Sequence, residues 1–168
     1  MKRTAAVMLM VSLALFVAVT VDAQSPQTPP PAPPAYGTPI TLDQAKKALA
    51  AAETEARKNN WNVVISIVDT GGQLVTMSRL DNTQFGSIEV AREKAYSAVA
   101  FKRPTKVFQD SVAKSENIRL LNLTGASMFE GGIPIVADGK IIGAIGVSGV
   151  TATQDAQIAQ AGIDALKK

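Results

Sequence analysis

Apolar positions recur along this chain with two different periods. From Leu42, the residues Ala45, Leu49, Ala52 and Ala56 follow at helical spacing to about Lys58, the recurrence that lays one face of an α-helix on a core. Thr41 and Gln44 open it as a capping box, in which a hydroxyl and a side-chain carbonyl satisfy each other's backbone N–H groups. Asn59-Asn60 stops it. The pattern then turns β-branched, with Val63, Val64, Ile65, Ile67 and Val68 inside Asn62–Asp69. Thr70-Gly71-Gly72 makes a turn, and Gln73–Leu80 returns as a second strand, which predicts a hairpin.

The helical period resumes over Ser87–Phe101. Ile88, Ala91, Ala95, Ala98 and Val99 form its apolar face, Ser87 is its expected cap, and Lys102-Arg103-Pro104 ends it, because proline disfavours helix in the residue before it. A short helix follows from Lys106 to Ala113 with Thr105 as cap. Glu116–Phe129 reads equally as a short strand or a packed loop. Ile133–Ala137 and Lys140–Val147 form a second hairpin around Asp138-Gly139, a two-residue type I′ turn pair. The strand from Ile142 to Gly149 is rich in Gly and Ala, so it either admits another backbone or a ligand, or lines a tight helix contact. A closing helix runs from Thr153 to Leu166. Thr153 is its expected cap, Asp155 sits at its positive end and Lys167-Lys168 at its negative end. The expected class is α+β: an antiparallel sheet of two hairpins, with room for a fifth strand, and helices packed on it.

Both periods fail before residue 40. Lys2 and Arg3 precede uncharged Ala5–Thr20, and Val21-Asp22-Ala23 offers small residues at the two positions a signal peptidase reads. Residues 1–23 are expected to be a signal peptide, since the apolar run is short for a bilayer span and no stop-transfer charges follow. The expectation is a periplasmic or secreted chain with no membrane insertion after cleavage. Seven of the nine prolines lie within residues 24–39, which favours solvated polyproline II and a disordered tether. A docking segment for a proline-binding domain is the sharper alternative. The folded domain is expected over residues 40–168.

Composition narrows the chemistry. The chain has no Cys and no His. That excludes disulfides, thiol nucleophiles, Cys/His zinc sites, a Ser-His-Asp triad and the usual histidine ligand of haem. Lys and Arg number 17 against 14 Asp and Glu, a net charge of +3, and the basic residues are scattered, so no nucleic-acid surface is expected. Gly139-Lys140 lacks the rest of a P-loop, and Gly143, Gly146 and Gly149 lack dinucleotide-fingerprint spacing. Glu89 and Glu93, flanked by Arg92 and Lys94, read as solvated helix charges rather than a metal pair.

Four segments taken together carry a resemblance. They are Asp69–Asp81, Ser87–Ala98, the Gly131-Gly132-Ile133-Pro134 turn leading to Gly143–Gly149, and Gln154-Asp155 before the closing apolar face. In this order and spacing the chain resembles the GlcG/HbpS family of haem-binding and haem-degrading-type proteins across nearly all of residues 40–166. The resemblance implies a profilin-like domain that assembles into dimers and larger rings such as octamers. It implies haem or another tetrapyrrole as ligand, redox sensing in secreted members, and glycolate or diol operons in cytosolic ones. The family's Lys-Ala-x-Thr-Ala motif is Lys94-Ala95-Tyr96-Ser97-Ala98 here, its Pro-Thr is Pro104-Thr105, and its Gly-Gly-x-Pro turn is complete. Two features depart from it. The Glu-x-x-Glu iron motif of some secreted members is absent, since Glu53 and Glu55 stand two apart, and the His ligand of some relatives is missing.

The expected ligand-binding residues are therefore Lys94, Ser97, Thr105, Gly131 and Gly132. Lys94 either pairs with a propionate or small carboxylate, or extends across the sheet surface. Gly131 and Gly132 either present bare N–H groups to an anion or only make a turn. Tyr96 is either a phenolate iron ligand or a core or interface aromatic. Met77 and Met128 are either soft ligands or packing residues. The functional expectation is a secreted protein that binds haem or a small anionic molecule in haem handling or redox sensing. The alternatives are an enzyme acting on a small glycolate-type carboxylate, with Glu130 or Asp155 as acid–base group, and a sensor or accessory protein that meets a partner through its tether.

Overall fold

The computed structural model describes residues 31–115 and 117–167; the leader expected at 1–23 and most of the proline-rich tract lie outside them. Among the described residues four α-helices and four strands follow in the order α1 (Leu42–Lys58), β1 (Val64–Asp69), β2 (Leu74–Arg79), α2 (Ser87–Ala100), α3 (Lys106–Ala113), β3 (Gly132–Ala137), β4 (Lys140–Ser148) and α4 (Ala152–Ala165). The sheet is antiparallel throughout, in the order β2-β1-β4-β3. Both expected hairpins are present, and β1 pairs with β4 to join them. The α+β class read from the sequence is the class of the structure.

No fifth strand joins the sheet among the described residues. Ile118–Asn122 is a single 3-10 turn. At the other end of the domain, Tyr36 makes one parallel bridge to Ile141. Ala35 O accepts from Ile141 N at 2.9 Å, and Gly37 N donates to Ile141 O at 2.8 Å. The Tyr36 hydroxyl donates to Val99 O at 2.8 Å, and the Lys102 ammonium lies 4.1 Å from its ring centre. These bonds carry the folded unit back to Ala35, ahead of the boundary read at Ile40.

The sheet is covered on both faces. α1 and α4 pack together on one face, over Ile65, Ile67, Ile145 and Val147. Alanines at 45, 48, 52 and 56 form the buried stripe of α1, while Leu42 is exposed. Small side chains let α1 lie close to α4, and the stripe is rotated from the expected one by the replacement of Leu49 with Ala48. α2 covers the other face, chiefly over β4, β1 and β3. The Gly-rich β4 serves that contact: a Cβ on Gly146 would overlap the Ala91 carbonyl oxygen and the Ala95 backbone N. The helix-contact reading of that strand is the one the fold uses. β2 lies at the sheet edge, outside the strands that α2 chiefly covers, and this leaves one side of α2 facing an open strip.

Of the four helix starts, one is capped as the local signal predicts and three are not. Thr41 and Gln44 form the expected capping box. α4 starts two residues early, on a second box between Thr151 and Gln154, so Thr153 lies inside the helix. Ser87 is the first residue of α2 and caps nothing; its hydroxyl is buried and accepts from Ser148 Oγ at 3.2 Å. Thr105 stands at the start of α3 with no capping bond, because its hydroxyl is turned to Gly132. At Asp138 and Gly139, φ values of 49° and 71° give the two left-handed residues that a type I′ hairpin requires.

Candidate functional site

α2 carries two polar environments on neighbouring faces. The first is a closed corner between α2, β4 and α4. Lys94 points inward, and its Nζ donates to Asp155 Oδ2 at 2.8 Å and to Val147 O at 2.9 Å. Both side chains are 3% exposed. Asp155 stands in the first turn of α4, where its Oδ1 accepts from Val150 N at 3.2 Å. Burial pushes the Asp155 carboxyl above its ordinary range; the Lys94 charge and hydrogen bond oppose that, as do the backbone N–H groups of Val150 and Gly149.

Two glycines make this corner possible. Gly131 has φ +123°, and a Cβ there would lie 2.9 Å from Lys94 Nζ, Asp155 Cβ and Val147 O alike. A Cβ on Gly132 would overlap the Lys94 carbonyl oxygen. Gly132 also exchanges two bonds with Thr105: Thr105 N donates to Gly132 O at 2.9 Å, and Gly132 N donates to Thr105 Oγ1 at 3.0 Å. The β3 start is thereby clamped to the α2–α3 junction.

The second environment is an open cleft of ≈ 370 Å³ between α2, the β1–β2 hairpin and residues 125–127, within the ~300–1,000 Å³ usual for small-molecule sites. Val68, Leu74, Ala126 and the Tyr96 ring make its apolar wall; Glu89, Arg92 and Glu93 bring charge from α2. The Tyr96 ring is held on both sides by glycine. A Cβ on Gly72 or Gly125 would come within 2.6 Å or 2.9 Å of it, and both glycines have positive φ. The ring is fixed while its side chain stays 45% exposed, and its hydroxyl has no hydrogen-bond partner among the described residues. Arg92 Nη1 reaches Glu89 Oε2 at 3.1 Å in an exposed pair, the kind worth about 0–1 kcal/mol and easily diverted to another anion.

The five expected site residues thus divide. Lys94, Thr105, Gly131 and Gly132 converge on the closed corner, and all four are buried. Ser97 is buried too, but it serves the cleft: its Oγ accepts from Ser127 N at 3.0 Å and pins the 125–127 wall. Lys94 is held inside the fold rather than stretched across the sheet surface. Outside this set, Glu130 is half-buried, 3.8 Å from the Lys106 ammonium. Met77 and Met128 are half-buried and line no part of the cleft. The cleft residues that motif reading passed over are Gly72, Leu74, Arg92 and Gly125. They lie in three separate segments, and only the sheet order brings them together.

The same fold and residue pattern recur in known proteins. Protein GlcG of Escherichia coli K12 is 42% identical over 115 residues, 66% of this chain and 84% of that protein. The solved PduOC:heme complex superposes with a TM-score of 0.70 at 32% identity, covering 76% of this chain and 95% of that one. The crystal structure of HbpS gives a TM-score of 0.69 at 32% identity, covering 76% and 90%. The family described as "Haem degrading protein HbpS-like" matches residues 40–164. With that match spanning the sheet and all four helices, the chain belongs to the HbpS-like family, as the GlcG/HbpS resemblance of its motifs led one to expect.

Proposed function

We propose that this chain binds haem or a closely related tetrapyrrole in the cleft between α2 and the β1–β2 hairpin. The observation that carries the reading is the cleft itself: an apolar wall, a divertible arginine and a fixed, partnerless phenol, in a fold that one solved relative displays in complex with haem. The residues present fit the group. A macrocycle needs an apolar surface, which Val68, Leu74 and Ala126 supply, and a cation for its propionates, which Arg92 supplies. With no His or Cys in the chain, iron would be met by oxygen donors. Haem bound there would supply a redox-active iron centre.

The corner at Lys94 is the support of this site rather than a second one in our reading. Asp155, the acid–base group that a small-carboxylate reaction would draw on, is already engaged by Lys94 and by the backbone at Val150. The leader pattern of residues 1–23 supports a periplasmic or secreted location, in which haem handling or redox sensing is the role. No helix among the described residues is long and apolar enough to cross a membrane. Val107, Ile118, Leu121 and Phe129 expose apolar surface along α3 and the segment after it, which supports a homo-oligomer between dimer and octamer.

Titration of the purified chain with hemin tests the reading. The expected result is a saturable Soret shift with a fixed stoichiometry per chain. A shift no larger than that given by an unrelated α+β protein at the same concentration would overturn it.

A further inference from the structure

We infer that Tyr96 is the residue through which this chain holds ferric haem iron, as a phenolate. The inference rests on the haem reading above and adds the iron ligand, which no motif of the chain identifies.

The donors can be taken in turn. His and Cys are absent, and the chain has two tyrosines and five methionines. Among the described residues, Met77 and Met128 line no part of the cleft. The Lys94 amine is buried and bonded to Asp155 and Val147. Tyr36 donates its hydroxyl to Val99 O. Glu89 is paired with Arg92 in the free chain and, once a propionate draws that arginine away, is an exposed carboxylate like Glu93. Tyr96 and these two glutamates remain, all on α2 and all lining the cleft, and neither Tyr96 nor Glu93 has a partner among the described residues.

Preorganisation separates the phenol from the carboxylates. The Tyr96 ring is fixed between Gly72 and Gly125, positions where a Cβ would strike it, so little side-chain freedom is lost when its oxygen takes up a ligand. Glu89 and Glu93 are exposed carboxylates on mobile stems. A free phenol presented in a cleft beside an arginine matches what ferric haem takes when the protein offers tyrosine, as in catalases. Binding exchanges one proton for the metal: the phenol O–H breaks, the Tyr96 oxygen bonds Fe(III), and the proton passes to solvent.

The test uses the full chain loaded with ferric hemin, as wild type, Tyr96→Phe and Tyr36→Phe, followed by absorption, resonance Raman and calorimetry. The wild type and Tyr36→Phe are expected to show iron-phenolate vibrational modes and the phenolate-to-iron charge-transfer band. Tyr96→Phe is expected to lose both and to bind hemin about tenfold or more weakly, while melting at the wild-type temperature. A Tyr96→Phe spectrum that keeps the wild-type ligation overturns the inference and moves the iron to Glu89 or Glu93. A wild type that binds hemin without phenolate modes overturns it as well and leaves the haem reading standing. A wild type that shows no calorimetric binding at all takes down the haem reading first, and the inference with it.

Discussion

Lys94 and Tyr96 stand two residues apart on one helix and meet opposite fates. The Lys94 ammonium is closed in, bonded twice, and matched by a carboxylate from the far end of the chain. The Tyr96 phenol is fixed equally firmly, by two glycines instead of a partner, and its oxygen is left free. The difference lies in what covers each side of α2. Toward Lys94, β4 and α4 close over the helix. Toward Tyr96 the sheet ends in the edge strand β2, which α1 covers from the opposite face and which α2 does not close over. Polar groups that must hold the fold are buried in mutual satisfaction, and those available for a ligand are held still at the sheet's open margin.

The comparison is broken most strongly by removing the lysine. Lys94→Met leaves the Asp155 carboxylate buried without its cation and should lower unfolding free energy by about 3–5 kcal/mol, read from urea denaturation. Adding Asp155→Leu to it should recover most of that loss, because two apolar side chains replace a buried pair with little net cost. A double variant as unstable as the single one would show that the pair does more than satisfy itself. Next comes Gly132→Ala, whose Cβ would overlap the Lys94 carbonyl oxygen. Forcing backbone apart in a packed interior should cost about 1–3 kcal/mol, and an unchanged melting temperature would mean that the corner is looser than described.

A smaller effect follows from the titration of Asp155. Its folded carboxyl is raised above the ordinary 3.8 by burial, so over the range just above that value the folded chain binds more protons than the unfolded one. On this group's account stability is greatest below 3.8 and declines as pH rises through the folded value. The stability of wild type minus that of Asp155→Asn should therefore fall with rising pH across that window; a difference that grows would reverse the sign assigned here. The smallest effect is expected on the open side. Tyr96→Phe removes a hydroxyl that bonds nothing in the fold and should leave stability within ~0.5 kcal/mol, so a large loss would mean that the phenol belongs to the structure and not to a ligand.

Much of the fold was legible because its signals are local. The Thr41–Gln44 box, the Asn59-Asn60 stop and the Asp138-Gly139 turn are each decided within a few residues. Thr151 against Thr153 was a choice between two threonines, and the Thr-x-x-Gln spacing to Gln154 settles it physically, since one pair of groups satisfies two orphan N–H donors. Ser87 and Thr105 misled for a different reason. Their hydroxyls have partners across the fold, Ser148 and Gly132, that outcompete a capping bond. The resemblance picked out Lys94, Thr105, Gly131 and Gly132, and they do converge. Their environment was not legible, because Lys94 and Asp155 lie 61 residues apart and only the packing of α4 on β4 makes them neighbours. The cleft was harder still, since it exists only because β2 falls at the edge of the sheet.

The docking of Ala35–Gly37 along the start of β4 has a mechanical consequence. Ala35 O and Gly37 N grip the same residue, Ile141, in parallel pairing. A pull on the chain at Ala35, directed along the segment, therefore loads both bonds together in shear instead of peeling them one after the other. Behind them the Tyr36 hydroxyl hooks the last turn of α2 at Val99. Tension arriving at Ala35 would be borne by β4, an inner strand of the sheet, and by the helix that carries Tyr96, so Ala35–Gly37 is a strain path into the site.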